Sequence, residues 1–246
     1  MKLLKNLELG SLLYLSNNKE TICVSENEHY RWLSINDVCQ SIMLKRCPYK
    51  LVLPHQYAMM MPLLFYKPRN ICEVGLGAGT FARFVNKFLP TSSFTSIETD
   101  LRVIESFKQY FPSHLGNHKV VNELFDAENK SMTNAGIDWW LYDLYSSTEN
   151  NKACIDNLSS FLNHASNRSL ISVNITSACE NTINHFLTLF KGYLKHYSVF
   201  YFEIPQYSNV IVVALPRSDA RSLESALPKS YQNRWHRLWQ TGIQLT

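Results

Sequence analysis

The feature that most constrains this chain is a run of alternating glycines between an apolar segment and a helical one. The apolar run Ile71–Val74 leads into Gly75, Gly77 and Gly79, and the amphipathic pattern Phe81–Phe88 follows directly. Glycines let a chain turn sharply and let a ligand approach the backbone, and the first turn of a helix offers free N–H groups. The sequence therefore predicts a strand, a ligand-binding turn and a helix in this order.

An acidic residue lies where the next strand is expected to end. Glu98 follows Gly79 by 19 residues and closes the apolar run Phe94–Ile97. A carboxylate at that point can accept hydrogen bonds from the hydroxyls of an adenosine ribose. The alternative is a tight strand–helix turn with an unrelated surface glutamate, but the order of strand, glycines, helix, strand and acid favours a nucleotide site.

The remainder of the chain alternates between strand and helix patterns, which predicts an α/β fold with a mostly parallel sheet. Seven strands are expected in a Rossmann-like methyltransferase sheet with helices on both faces: Ile71–Val74, Phe94–Ile97, Val120–Leu124, Trp139–Tyr142, Leu170–Ile175, Ser198–Ile204 and Val210–Leu215. The expected helices are Leu53–Tyr66, Phe81–Phe88, Leu101–Phe111, Ala153–Leu162, Thr182–Leu194 and Lys229–Trp239. Short apolar runs broken by turn residues predict a small N-terminal β-hairpin cap over residues 1–50, followed by the transferase domain over residues 51–246.

Composition excludes several classes of protein. The chain has 246 residues, of which 46% are hydrophobic and 18% charged, so it can bury a sizeable core. Its six cysteines include no CxxC pair and its histidines have no metal-ligand spacing, so no metal is expected. With a net charge of +4 and no apolar stretch of membrane-spanning length, we expect a cytoplasmic protein with neither a nucleic-acid nor a membrane partner.

The glycine motif with its acids is typical of class I S-adenosylmethionine-dependent transferases, and the flanking residues narrow the resemblance. The chain resembles the spermidine synthase family over roughly residues 20–215. The matching segments are the strand Tyr30–Leu33, Gln40-Ser41, the helix with Tyr57, the run 72–85, the stretch Ser96–Asp100, Trp140–Asp143 and Ile204–Tyr207. Such a resemblance implies transfer of an aminopropyl group to an amine, a place in polyamine biosynthesis, and a homodimer.

The resemblance also assigns roles to individual residues. Glu73, Gly75, Gly77, Gly79 and Glu98 would hold the adenosyl group, and Asp126-Ala127 would lie beside the adenine. Asp143 matches the family's proton acceptor at the end of the fourth strand. Tyr57 and Tyr207 match tyrosines that line the pocket for the amine and the thioether. The co-substrate would be S-adenosylmethionine or its decarboxylated form, without a metal.

Two departures from the family keep alternatives open. Spermidine synthases carry an aspartate where this chain has Ala78, and a second aspartate where it has Ser146. Because position 78 carries no negative charge, it leaves room for the carboxylate of intact S-adenosylmethionine. A methyltransferase on the same scaffold is therefore the first alternative. A non-catalytic adenosyl-binding module is the second, although an intact Glu98 and Asp143 argue against it.

The chemistry requires a base at the acceptor. An amine nucleophile is protonated near neutral pH, so a carboxylate such as Asp143 must take its proton. The aromatic residues around it, including Tyr145, can hold a cationic amine against their ring faces. The alternative for Trp139 and Trp140 is a structural role as core residues of a buried strand. His55 is expected to be packed or on the surface rather than in the pocket.

Overall fold

The protein is described by a computed structural model that covers Leu7 and residues 10–123, 136–144, 151–165, 168–176, 180–217 and 225–246. These residues form a four-stranded sheet and an eight-stranded sheet. No helix in these ranges is both long enough and apolar enough to cross a membrane.

The N-terminal residues form the smaller sheet, in the region where the sequence predicts a cap. Its strands are β1 Ser11–Asn17, β2 Thr21–Glu26, β3 Tyr30–Ile35 and β4 Val38–Leu44, paired antiparallel in chain order. Asn36 and Asp37 join β3 to β4 with positive φ angles of 47° and 63°. Two such residues make the tight turn that matches the twist of a β-hairpin.

The larger sheet has the predicted α/β architecture with one strand more than expected. Its strands are β5 Asn70–Val74, β6 Ser93–Glu98, β7 His118–Asn122, β8 Trp139–Tyr142, β9 Leu170–Thr176, β10 Tyr197–Glu203, β11 Asn209–Pro216 and β12 Ile243–Gln244. Their order is β12-β10-β11-β9-β8-β5-β6-β7. The additional strand, β12, has two residues and pairs with β10 at the edge, which is too short for a sequence pattern to reveal.

Parallel pairing joins five neighbouring strands, β9-β8-β5-β6-β7, while β11 is antiparallel to both β9 and β10. The chain leaves β5 toward β6 on one side and later returns to β8 on the other. This reversal opens a crevice at the carboxyl ends of β5 and β8, where such sheets bind ligands. The segments after Val74, Glu98 and Tyr142 therefore meet at one edge.

The helices are α1 Pro54–Met60, α2 Thr80–Phe88, α3 Leu101–Tyr110, α4 Asn151–His164, α5 Glu180–Lys191 and α6 Lys229–Trp239. The helix expected over Leu53–Tyr66 is shorter than predicted, because it tightens into a 3₁₀ helix at Met61–Leu64. Pro62 lacks the N–H that an α-helix would bond to the preceding turn, and its ring crowds the carbonyl four residues back.

Both faces of the large sheet are buried. Trp139 belongs to the cluster on one face and Trp140 to the cluster on the other, and both are at most 3% exposed. Both tryptophans are therefore core residues, as the alternation of side chains along a strand requires. The apolar face expected on the last helix packs on the first cluster, where Trp235 stacks on Phe84 with ring centres 5.7 Å apart.

The small sheet shares a core with the large one. Val24 and Leu33 pack in one cluster with Ile104 and Phe107 of α3. Polar contacts reinforce this docking, since the Arg102 guanidinium donates to the Glu20 carbonyl at 2.9 Å. The cap is thus held against the helix that follows Glu98.

Candidate functional site

The predicted glycine turn connects β5 to α2 and touches the end of β8. Gly75, Gly77 and Gly79 have φ angles of 99°, 50° and 68°, a range that side chains rarely adopt. A Cβ atom on Gly75 would lie 2.3 Å from the carbonyl oxygen of Asp143. The Asp143 N–H in turn donates to the Val74 carbonyl at 2.9 Å. Glycine at position 75 therefore brings the turn and Asp143 into contact.

The cap reaches the same turn through Ser41. Its hydroxyl lies 3.0 Å from the Thr80 hydroxyl at the start of α2, in a buried hydrogen bond. A Cβ on Gly77 would come within 3.6 Å of Ser41, which is ordinary contact. The segment Gln40-Ser41, singled out in the sequence, thus lies against the glycine turn.

Glu98 closes the second side of the crevice. Its carboxylate accepts hydrogen bonds from the backbone N–H groups of Leu76 at 3.2 Å, Thr99 at 2.8 Å and Asp100 at 3.0 Å. A carboxylate has about four acceptor positions, so roughly one remains for a ligand hydroxyl. Burial raises the pKa of Glu98, although these backbone bonds act in the opposite direction.

Glu73 lies beneath the turn rather than in the open crevice. It is 2% exposed and accepts a 2.6 Å hydrogen bond from the Ser96 hydroxyl, which also contacts His118 Nε2 at 2.9 Å. Burial raises the pKa of Glu73 well above its usual range, and the negative charges of Asp143 and Glu98 add to the effect. Burial therefore favours the neutral form of Glu73 beneath the turn.

Asp143 follows β8 directly and is held from the neighbouring strand. The side-chain amide of Asn174 on β9 donates to Asp143 Oδ1 at 2.7 Å. The carboxylate is half-buried, and the adjoining Leu144 is exposed. The carboxyl groups of Asp143, Glu98 and Glu73 lie at this edge of the sheet, and a cationic ligand would offset the cost of ionising the buried ones.

His55 is packed, as the sequence predicts, and lies within electrostatic range of Asp143. His55 is buried, and its Nδ1 atom has no hydrogen-bond partner among the described residues. Burial lowers the pKa of His55 and the charge of Asp143 opposes that shift, so the two groups interact. A histidine after a proline that starts an apolar helix was the available signal, but it did not reveal the direction of the side chain.

Tyr57 is held by two contacts. Its hydroxyl donates to the Leu51 carbonyl at 2.7 Å, and the Arg234 guanidinium lies 4.7 Å from its ring centre. Residues two apart on a helix point to opposite sides, so His55 and Tyr57 project from different faces of α1. The role of Tyr57 in the acceptor pocket stays a prediction.

Tyr207 lies in the turn between β10 and β11. Its N–H donates to the Ile204 carbonyl at 3.0 Å, and its half-buried ring packs against the first hydrophobic cluster. Asp126, Ala127 and Tyr145 lie outside the described residues. Within the described ranges no three histidine, cysteine or carboxylate side chains are grouped as a metal site would require.

Sequence comparisons relate the chain to aminopropyltransferases. It is 36% identical over 91 residues to a polyamine aminopropyltransferase of Neisseria meningitidis, an alignment that covers 36% of this chain and 35% of the relative. A polyamine aminopropyltransferase of Chromobacterium violaceum is 34% identical over 90 residues, which is 36% of this chain and 34% of that protein. The similarity thus spans about a third of the length of these relatives. No family model matches the chain.

Solved structures share the fold. A probable spermidine synthase from Corynebacterium glutamicum aligns with a TM-score of 0.65 at 16% identity, over 92% of this chain and 86% of its own. A spermidine synthase in complex with the transition-state analogue AdoDATO aligns with a TM-score of 0.58 at 12% identity, over 92% of this chain and 88% of its own. Human methyltransferase-like protein 13 in complex with SAH aligns with a TM-score of 0.59 at 18% identity, over 77% of this chain and 92% of its own. The resemblance to spermidine synthases noted in the sequence is confirmed.

Proposed function

We propose that the protein transfers an aminopropyl group from decarboxylated S-adenosylmethionine to a small amine. The observation that carries this proposal is the packing of Asp143 against Gly75, with Glu98 across the same edge of the sheet. A base is thereby placed beside the turn that would hold the adenosyl group. The identity with polyamine aminopropyltransferases over 91 residues supports the group transferred.

The reaction asks little of the protein beyond alignment and proton removal. The amine nitrogen attacks the propyl carbon attached to sulfur, so that a C–N bond forms while the C–S bond breaks. The bonding pair stays on sulfur, which leaves as a neutral thioether. Asp143 takes the proton that the amine must lose, and alignment of the reacting atoms supplies much of the rate.

The residues present fit this donor. The glycine turn leaves the backbone open, and Glu98 retains about one acceptor position for a ribose hydroxyl. A second hydroxyl would replace the Leu76 N–H, whose hydrogen bond of 3.2 Å is the longest of the three. The decarboxylated donor carries a sulfonium and an ammonium group, and these cations would stabilise the ionised forms of Glu73, Glu98 and Asp143 at this edge.

Transfer of a methyl group from intact S-adenosylmethionine is less well supported. That donor has an additional carboxylate, whose negative charge opposes ionisation of the same three acids. Ala78 is fully buried and packs in the cluster beneath the cap, so the loss of an aspartate there has opened no pocket for an anion. The likeness to a methyltransferase is one of fold alone.

Incubation of the purified protein with each donor and a panel of small amines, followed by mass spectrometry, tests the proposal. We expect an aminopropylated amine and methylthioadenosine from the decarboxylated donor. Asp143→Asn should lower turnover about 100- to 10,000-fold while sparing the affinity for uncharged methylthioadenosine, since the amide keeps the shape but cannot take a proton. Undiminished turnover in this variant would remove Asp143 from the mechanism. The homodimer remains a prediction for sedimentation analysis.

A further inference from the structure

A chain of side-chain amides crosses three strands and ends on Asp143. Asn174 on β9 donates to Asp143 Oδ1 at 2.7 Å. Asn209 at the start of β11 donates to Asn174 Oδ1 at 2.9 Å, and also to the Thr176 hydroxyl at 3.3 Å. These residues are absent from the roles assigned by sequence, yet they connect the proposed base to the turn that contains Tyr207.

The register of the sheet creates this chain. Tyr142 pairs with Val173, so the next residues, Asp143 and Asn174, are neighbours on adjacent parallel strands. Asn209 is two residues from Ile211, which pairs with Asn174, so the two asparagines are diagonal neighbours on one face. An amide inside the apolar run of β9 has a cost that its hydrogen bonds must offset.

The hydrogen bonds of this amide chain all run from donor to acceptor in one direction, which the contacts of Asn209 set. Both amide protons of Asn209 are used, one by Asn174 and the other by Thr176. Because the Asn209 nitrogen can only donate, Asn174 must turn its oxygen toward it and its NH₂ group toward Asp143. A flipped Asn174 would place two oxygens, and also two NH₂ groups, against each other.

We infer that Asn174 and Asn209 are positioning residues that fix the carboxylate of Asp143 for transfer. Asn174 holds Oδ1, and Oδ2 is the oxygen left to receive the proton of the acceptor amine. Among the described residues, Asn174 supplies the hydrogen bond to this carboxylate. The inference rests on the proposed function only for its catalytic consequence.

The hydrogen-bond chain itself is tested without any activity. In ¹⁵N NMR spectra, the Asn174 side-chain amide, assigned by its loss in Asn174→Ala, should exchange slowly with solvent. Asn209→Ala should accelerate that exchange about tenfold, although Asn209 does not touch the proton that is observed. The control is Asn163→Ala on α4, which removes an exposed hydrogen bond that the Tyr193 hydroxyl donates to the Asn163 side chain. An unchanged exchange rate of the Asn174 amide in Asn209→Ala would refute the hydrogen-bond chain from Asn209 to Asp143.

Turnover then tests the positioning role. Asn174→Ala should lower kcat about 10- to 100-fold with little change in donor KM, as expected for a hydrogen bond to a charged group. Asn209→Ala should lower kcat about tenfold alone, and less than twofold in the Asn174→Ala background, because both act through one carboxylate. Equal effects in both backgrounds would overturn the inference.

A substitution of the same shape tests the direction. Asn209→Asp keeps the volume but replaces the donor with an acceptor, so that two carboxylates compete for the one NH₂ group of Asn174. We expect a lower kcat than in Asn209→Ala, whereas a packing role alone predicts a milder effect. Normal NMR behaviour with no turnover on any donor would overturn the proposed function and leave the hydrogen-bond chain supported.

Discussion

Burial governs the carboxylates at the glycine turn more strongly than their partners do. Glu98 accepts three backbone hydrogen bonds, which favour its charged form, and yet its pKa is raised. Burial raises the pKa of Glu73, which lies below Glu98, well above its usual range. A ligand with positive charge would offset the cost of keeping these acids ionised, so the site is suited to a sulfonium compound.

Ligand binding should therefore depend on pH through Glu98. Methylthioadenosine, an uncharged probe, should bind more weakly as Glu98 becomes protonated, and this loss should begin above the ordinary glutamate value of 4.5. Glu98→Gln should weaken binding about 10- to 100-fold at pH 7.5 and remove this pH dependence. Calorimetric titration from pH 4.5 to 8 measures both effects. An unaltered affinity in Glu98→Gln would contradict the ribose assignment.

Gly75 should tolerate no side chain. Gly75→Ala places a Cβ 2.3 Å from the Asp143 carbonyl oxygen at a φ of 99°, so we expect a loss of about 3 kcal/mol in the free energy of unfolding. Gly136 is the matched control, since it has a φ of 61° with no atom within 4 Å. Gly136→Ala should cost only about 1 kcal/mol of backbone strain. Equal losses in urea titrations would refute the steric argument.

Strand β5 carries a buried acid whose main partner lies on β6. The Ser96 hydroxyl bonds to Glu73, and His118 of β7 extends the contact. Burial and the charge of Arg83 lower the pKa of His118 to about 4, so its ring is neutral near pH 7. Three neighbouring strands thus share one polar network beneath the turn.

This network predicts a pH-dependent stability. Because the pKa of Glu73 is higher in the folded than in the unfolded protein, its contribution is fully present below the unfolded value of about 4.5 and is lost as the pH rises. Glu73→Gln does not titrate, so its Tm relative to the unsubstituted protein should increase from pH 4.5 to pH 8. Glu105→Gln, on the exposed side of α3, controls for the loss of one charge. A constant difference across this range would contradict the assignment.

Most elements were predictable because strong periodicity and glycine or proline boundaries coincide along this chain. The strands from Ile71 to Leu215 occur where expected, and Lys229–Trp239 is helical with the predicted bounds. The first helix was predicted too long because the effect of Pro62 was underestimated. Strand β12 was missed because two residues carry no periodicity, and its existence depends on pairing with β10.

In the folded chain, the cap, the glycine turn and three strand ends lie together at one edge of the large sheet. Sequence spacing predicted that the glycines, Glu98 and Asp143 lie at this edge, since parallel strands bring their carboxyl ends together. It could not show that His55 lies within electrostatic range of Asp143 while Tyr57 contacts Arg234, because helix rotation depends on tertiary packing. The role of Asn174 likewise depends on register between strands distant in sequence.

Donor preference tests the central claim most directly. The three acids that a doubly cationic donor would help to ionise should disfavour a donor with an additional carboxylate. Calorimetric titration should therefore give at least tenfold tighter binding of decarboxylated S-adenosylmethionine than of the intact compound, accompanied by aminopropyl transfer to an amine. Tighter binding of intact S-adenosylmethionine, with methyl transfer, would contradict the account.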